Sequence, residues 1–168
     1  AWTYQEKLFG DIVAQKIQNR NLPKEQQTIT PSYLLFVEHP HVYTLGKSGK
    51  PEHLLLDDVG LFSHQATYYK INRGGDITYH GPGQLVGYPL VNLASKHGAD
   101  GPADSVAYVR SVEQVIINSL HDIGLTSADR FDGYPGVWSK GDFGWSKVGA
   151  VGMQVRNGWT THGFALNL

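Results

Sequence analysis

Apolar residues recur every three or four positions from Tyr4 through Leu8, Ile12 and Val13 to Ile17, with Glu6, Lys7, Asp11, Gln15 and Lys16 between them. That period predicts an amphipathic helix, ended by the polar residues 19–21 and by Pro23. Residues 28–32 are turn-rich and lead into Tyr33–Val37, a short continuous apolar run that reads as a buried strand. A second helix starts at Pro102 and Asp104 or Ser105, carries the stripe Val109, Val112, Ile116 and Leu120, and stops at Gly124; its role reads as structural. Between the helices, residues 67–72, 77–79 and 85–91 are strand-like and separated by glycine turns, so residues 73–84 read as part of a strand-turn-strand unit. After the second helix, residues 136–138, 148–155 and 160–168 are again extended, with Asn157-Gly158 a hairpin turn between the last two. Helix, strands, helix, strands without regular alternation predicts an α+β fold, a mixed or antiparallel sheet with packed helices.

Composition narrows the class. A chain of 168 residues suits one domain, residues 1–168, with a core that needs no disulfide or metal. Fourteen basic and fifteen acidic side chains give a net charge of -1, which excludes the broad basic field of a nonspecific nucleic-acid binder. Lys47, Lys50 and Arg73 still offer a small basic rim suited to an acidic carrier protein. The absence of cysteine excludes disulfides and thiolate metal sites within these residues. Neither a leader-like start nor an apolar run long enough for a bilayer occurs, so the reading is a cytoplasmic protein that neither enters membranes nor binds nucleic acid.

The chemistry concentrates in two stretches. Arg73, Gly74, Gly75, Asp76, Ile77, Thr78, Tyr79 and His80 run on into Gly81-Pro82-Gly83-Gln84, combining backbone freedom with a guanidinium, a phenol and an imidazole. Glycines let a ligand reach backbone N–H groups, although a bulged hairpin would select the same residues. Lys147 opens the second stretch, followed by Val148, Gly149, Ala150, Val151 and Gly152, and a further segment holds His162, Gly163, Phe164 and Ala165. A lysine at the mouth of an apolar strand is expected to be partly desolvated, which favours its neutral form; a snorkelling strand-end lysine is the plainer alternative. Small residues on two facing strands leave a slot for a hydrocarbon, or else serve close sheet packing.

Arg73 to Leu85 matches throughout the signature Arg-Gly-Gly-x-x-Thr-Tyr-His-Gly-Pro-Gly-Gln-Leu, and the chain resembles the octanoyltransferase family of lipoate biosynthesis, also called lipoate-protein ligase B. The likeness extends to Glu38-His39-Pro40, Tyr43-Thr44-Leu45-Gly46, Tyr88-Pro89, Pro135-Gly136-Val137-Trp138 and His162-Gly163-Phe164-Ala165-Leu166-Asn167. It implies the fold of biotin and lipoate ligase catalytic domains. It also implies transfer of an octanoyl group from octanoyl-acyl carrier protein to a lysine on lipoyl domains of 2-oxoacid dehydrogenases and on the glycine cleavage H protein, without a cofactor. Arg73 to His80, with Ala150, Val151, Gly152, Gly163, Phe164 and Ala165, would hold the acyl chain, and Lys147 would favour the thiolate of a catalytic cysteine. That cysteine lies beyond the closing motif in the family, so the resemblance implies a chain truncated before its nucleophile.

Rival patterns fit less well. Gly46-Lys47-Ser48 has His41 where a phosphate-binding loop has its first glycine, and residues 81–87 miss the dinucleotide fingerprint by one position. His39 and His41 have no metal-site spacing, so no metal is expected; His80 and His162 read as site imidazoles. An ATP-dependent lipoate or biotin-type ligase and a noncatalytic acyl-binding protein are the alternative functions, the first disfavoured by residues 80–84 and the second supported only by the missing cysteine.

Overall fold

A computed structural model describes residues 1–93 and 104–167. Its helices are α1 (Trp2–Arg20), α2 (Asp58–Ser63) and α3 (Ser105–Asp122). Its strands are β1 (Tyr33–Val37), β2 (Val42–Leu45), β3 (Thr67–Lys70), β4 (Ile77–His80), β5 (Gln84–Leu90), β6 (Ala128–Phe131), β7 (Tyr134–Gly141), β8 (Gly144–Arg156) and β9 (Trp159–Asn167). They form a six-stranded antiparallel sheet, β1-β5-β9-β8-β7-β6, and a three-stranded sheet, β3-β2-β4, whose β2–β3 pair is parallel. The expected α+β class holds. Among the described residues no helix is long and apolar enough to cross a membrane.

Both long helices pack on the larger sheet. Leu8, Phe9 and Ile12 of α1 meet Leu90 and Trp159, whereas Ile116, Ile117 and Leu120 of α3 meet Ala128, Val137 and Leu166. The Asp104 side chain accepts from the Ala107 N–H at the start of α3, and Gly124 turns the chain out of it with φ +100. Pro102, the other proposed start signal, lies outside the described residues. Glu113 ties α3 to β7. It is fully buried; Oε1 accepts from the Gly136 N–H at 2.8 Å, and Oε2 accepts from Arg110 at 3.0 Å and Arg130 at 3.2 Å. Asn157 and Gly158 both adopt positive φ, as the tight β8–β9 hairpin requires.

Three local expectations change. In α1, Tyr4 and Ile17 are exposed while Gln5 and Phe9 are buried, because Gln5 Oε1 accepts from the His162 N–H at 3.0 Å and so joins the core face. Tyr33–Val37 is a half-buried edge strand with Leu34 and Phe36 turned to solvent, since only β5 pairs with it. Residues 77–91 are no hairpin either. β4 pairs with β2, β5 pairs with β1 and β9, and Gly81-Pro82-Gly83 carries the chain from one sheet to the other.

Candidate acyl-transfer site

A cavity of about 960 Å³ opens between the two sheets, within the size range of small-molecule sites. Its lining includes Arg73, Gly74, Gly75, Asp76, Ile77, Thr78 and His80 from the first stretch. Lys147, Ala150, Val151, Gly152, Gly163, Phe164 and Ala165 line it from β8 and β9. The fold thus brings together residues some seventy positions apart. Tyr79 is the exception: strand alternation turns it away, and its hydroxyl pairs with His41 Nδ1 at 2.6 Å outside the cavity.

The loop at residues 73–76 is held from beneath by the end of β2. Gly46, Lys47 and Ser48 donate backbone N–H groups to the carbonyls of Asp76, Arg73 and Gly75 at 3.0–3.2 Å. A Cβ on Gly46 would lie 2.2 Å from the Gly75 oxygen, so glycine is required for this approach. These amides are already engaged, which is the physical reason that Gly46-Lys47-Ser48 does not act as a phosphate cradle. Arg73 is buried with no carboxylate within 4.0 Å among the described residues. Its Nε donates to Thr44 Oγ1 at 3.1 Å, its Nη2 to Thr44 O and Oγ1, and its Nη1 to Gly74 O at 2.9 Å. A guanidinium in a cavity wall whose hydrogen bonds all go to neutral oxygens, with Asp76 the nearby opposite charge, favours an anionic or carbonyl oxygen nearby.

Burial, joined by the Arg73 charge at His80 and His162, lowers the proton affinity of the neighbouring imidazoles. Desolvation, then Arg73, pushes His162 down to about 4, and burial also lowers His80 and His39 from their ordinary value. Burial pushes the Tyr88 phenol up to about 12, and its hydroxyl pairs with His39 Nε2 at 2.7 Å. His162 holds φ 60, an uncommon conformation for a residue other than glycine. Asp76 is held below the usual carboxylate range chiefly by its hydrogen bond from His53 Nδ1, at 2.7 Å.

Two expectations about β8 and β9 need correction. Lys147 is exposed rather than partly desolvated, and its ammonium lies 4.8 Å from the Trp138 ring centroid, a cation–π contact at the cavity rim. The two strands are hydrogen-bonded neighbours in one sheet rather than facing walls, with Ala150 opposite Ala165 and Gly152 opposite Gly163. Gly149 faces Val137, Leu166 and Ile116 under α3, away from the cavity. Gly163 lines the cavity, yet a Cβ there would lie 2.0 Å from the Gly87 oxygen, so its lack of a side chain serves strand packing. Gly152 lines the cavity, and a Cβ there would lie 3.1 Å from the Gly74 oxygen and 3.4 Å from Arg73 Cδ. Sequence reading missed the contributions of Trp2, Gln5, Thr44 and Arg156 to the lining; only Thr44 stood in a quoted motif.

A glycine-rich bridge between two sheets, a buried arginine and a cavity between those sheets make a candidate small-molecule site on an α+β domain. Residues 2–168 match the lipoyl protein ligase A/B catalytic domain. The chain is 48% identical to an octanoyltransferase of Cytophaga hutchinsonii over all of this chain and 67% of that protein. It is 50% identical to an octanoyltransferase of Flavobacterium johnsoniae, over 99% of this chain and 69% of that one. The chain belongs to the lipoyl protein ligase A/B catalytic domain family and, within it, to the octanoyltransferases of lipoate biosynthesis. Among solved structures, a bipartite lipoate protein ligase from Thermoplasma acidophilum shares the fold with TM-score 0.66 at 17% identity, over 94% of this chain and 56% of that one. Lipoate-protein ligase A bound with ATP does so with TM-score 0.65 at 14% identity, over 94% and 60%.

Proposed function

We propose that the cavity holds the octanoyl chain of octanoyl-acyl carrier protein and that the protein passes it to a lysine amine of a lipoyl domain, in the 2-oxoacid dehydrogenases and the glycine cleavage H protein. The observation that carries this reading is the meeting of Arg73 to Thr78 and His80 with Ala150 to Gly152 and Gly163 to Ala165 around one cavity, with Lys147 on its rim. The thioester donor is already activated, so nucleotide and other cofactors have no step to serve. A thiolate attacks the thioester carbonyl, the carrier's thiol leaves, and the lysine amine then displaces the enzyme sulfur to form an amide. These 168 residues contain no cysteine, so this route takes its thiol from outside them. Lys147 favours the thiolate by its positive charge. Backbone N–H groups of the glycine-rich segments are suited to the tetrahedral oxyanion. We assign the reaction to the cytoplasm.

The test uses the native polypeptide that carries this chain, incubated with octanoyl-acyl carrier protein and analysed as intact protein by mass spectrometry. A hydroxylamine-labile octanoyl adduct that transfers to a lipoyl domain without ATP is expected, and Lys147→Ala should form it far more slowly while staying folded. Octanoate-dependent ATP–pyrophosphate exchange, with no adduct from the thioester, would replace this reading with that of a ligase. Binding without transfer would make the protein an acyl carrier or sensor.

A further inference from the structure

A chain of side-chain hydrogen bonds links the β8–β9 edge to His80, and its polarity is settled by its ends. The Lys147 carbonyl can only accept, so the Asn167 group bonded to it at 3.1 Å is Nδ2, which leaves Asn167 Oδ1 as an acceptor. Gln84 Nε2 donates to that oxygen at 2.9 Å and also lies 3.4 Å from the Tyr79 carbonyl, a second acceptor that orients the amide the same way. Gln84 Oε1 is therefore the atom 2.6 Å from His80 Nδ1, and an amide oxygen has no proton to give. His80 Nδ1 must carry the proton. In the neutral ring that desolvation favours, its Nε2 is then unprotonated; that nitrogen has no hydrogen-bond partner among the described residues, and His80 is one of the residues lining the cavity.

We propose that Gln84 and Asn167 are positioning residues that hold His80 as the Nδ1–H tautomer, presenting Nε2 to the cavity as the proton acceptor for the attacking lysine amine. This rests on the acyl-transfer reading above. As the amine nitrogen bonds to the thioester carbonyl carbon, the C–S bond breaks with its electron pair on sulfur. The proton lost by nitrogen passes to His80 Nε2 and then to the departing thiolate, so His80 ends neutral and no co-reactant is needed. The opposite tautomer would present an N–H to the incoming amine and accept nothing. A half-buried imidazole near Arg73, its proton affinity lowered by desolvation, suits the role, since the base must be unprotonated when the amine arrives.

The tautomer is read directly, without any activity, from ¹⁵N NMR of the native polypeptide labelled at histidine, with His80 assigned by its loss in His80→Phe. A protonated Nδ1 and bare Nε2 are expected in the wild type, and a bare Nδ1 would overturn the proposal whatever the enzyme does. Gln84→Leu should lose the preference, and Gln84→Glu, whose carboxylate still accepts, should restore it. In single-turnover transfer from preformed acyl-enzyme, Gln84→Leu should slow amide formation about 10- to 100-fold, more than it slows acyl-enzyme formation. Gln84→Glu should recover most of that loss. A Gln84→Leu protein that keeps the Nδ1–H tautomer, or that transfers at the wild-type rate, would also sink the idea. Should the transfer reading itself fail, the spectrum still decides the tautomer, so the two failures remain distinct.

Discussion

Gly149 and Gly152 lie three residues apart on β8, yet replacing each with valine should have opposite consequences. At Gly152 the first added carbon would lie 3.1 Å from the Gly74 oxygen and 3.4 Å from Arg73 Cδ, in the cavity wall. Valine extends about 1.5 Å beyond that carbon, and an extended hydrocarbon advances about 1.3 Å per methylene, so one to two methylenes of depth are lost. At about 0.8 kcal/mol per buried methylene, octanoyl loses roughly 0.8–1.6 kcal/mol relative to a chain short enough to avoid the obstruction. That is about 4- to 15-fold in the ratio of kcat/KM for octanoyl over hexanoyl donors. At Gly149 the added carbon would instead lie 3.2 Å from Val137, 3.3 Å from Leu166 and 3.4 Å from Ile116, all in the α3 core. Overpacking there should cost about 1–3 kcal/mol of stability and leave chain-length preference unchanged. The assays are urea unfolding and competition between C6 and C8 thioesters. An unaltered C8 to C6 ratio in folded Gly152→Val, or an altered one in Gly149→Val, would refute this account of the cavity wall.

Glu113→Ala should destabilise the fold by about 3 kcal/mol, because it strands the buried Gly136 N–H, leaves a cavity and removes the carboxylate that Arg130 Nε donates to. Arg110→Ala should cost less than about 1 kcal/mol by the same urea measurement, since the Arg110 side chain is 59% exposed. His162 binds its proton at about pH 4 in the fold against an ordinary 6.5, so the unfolded chain binds more protons between these values. Its contribution is full above pH 6.5 and is lost as pH falls toward 4, with an upper bound of about 3 kcal/mol. His162→Asn, which tolerates the left-handed backbone, should flatten that slope, and an identical slope in wild type and variant would reject the cause. The 168-residue chain on its own should form no hydroxylamine-labile octanoyl adduct with octanoyl-acyl carrier protein, since it has no thiol; mass spectrometry detecting one would overturn the cysteine route.

Long periodic elements were legible from the chain alone: α1, α3 and the β8–β9 hairpin follow from apolar spacing, an Asp104 cap and Asn157-Gly158. Strands β2 and β6, at four residues each, and α2, at six, are too short to show a period, and β2 is stabilised by β3 and β4, which are remote in sequence. The exposure of Tyr4 and Ile17 was hidden for another reason. Which face of α1 is buried depends on Gln5 meeting a backbone N–H 157 residues away, and no local pattern encodes that. The candidate site was legible where its residues are contiguous, as in Arg73 to His80. It was illegible where partners are distant, as with Thr44 and Arg73, 29 residues apart, or Gln84 and Asn167, 83 apart.

The contiguity of the first stretch has a structural cause. β4 belongs to the three-stranded sheet and β5 to the six-stranded one, so Gly81-Pro82-Gly83 is the short path between them. A cavity bounded by both sheets must be lined by the residues on either side of such a crossing. Its rigidity then depends on how firmly the loop before β4 is attached, and the three N–H donors of residues 46–48 and the Thr44–Arg73 bonds supply that attachment. Burying the Arg73 charge to make those bonds is costly unless something in the cavity uses it. If the cavity holds an acyl group as proposed, its oxygen seated against Arg73 would recover part of that cost, and an arginine would serve there where a neutral residue would pack more cheaply.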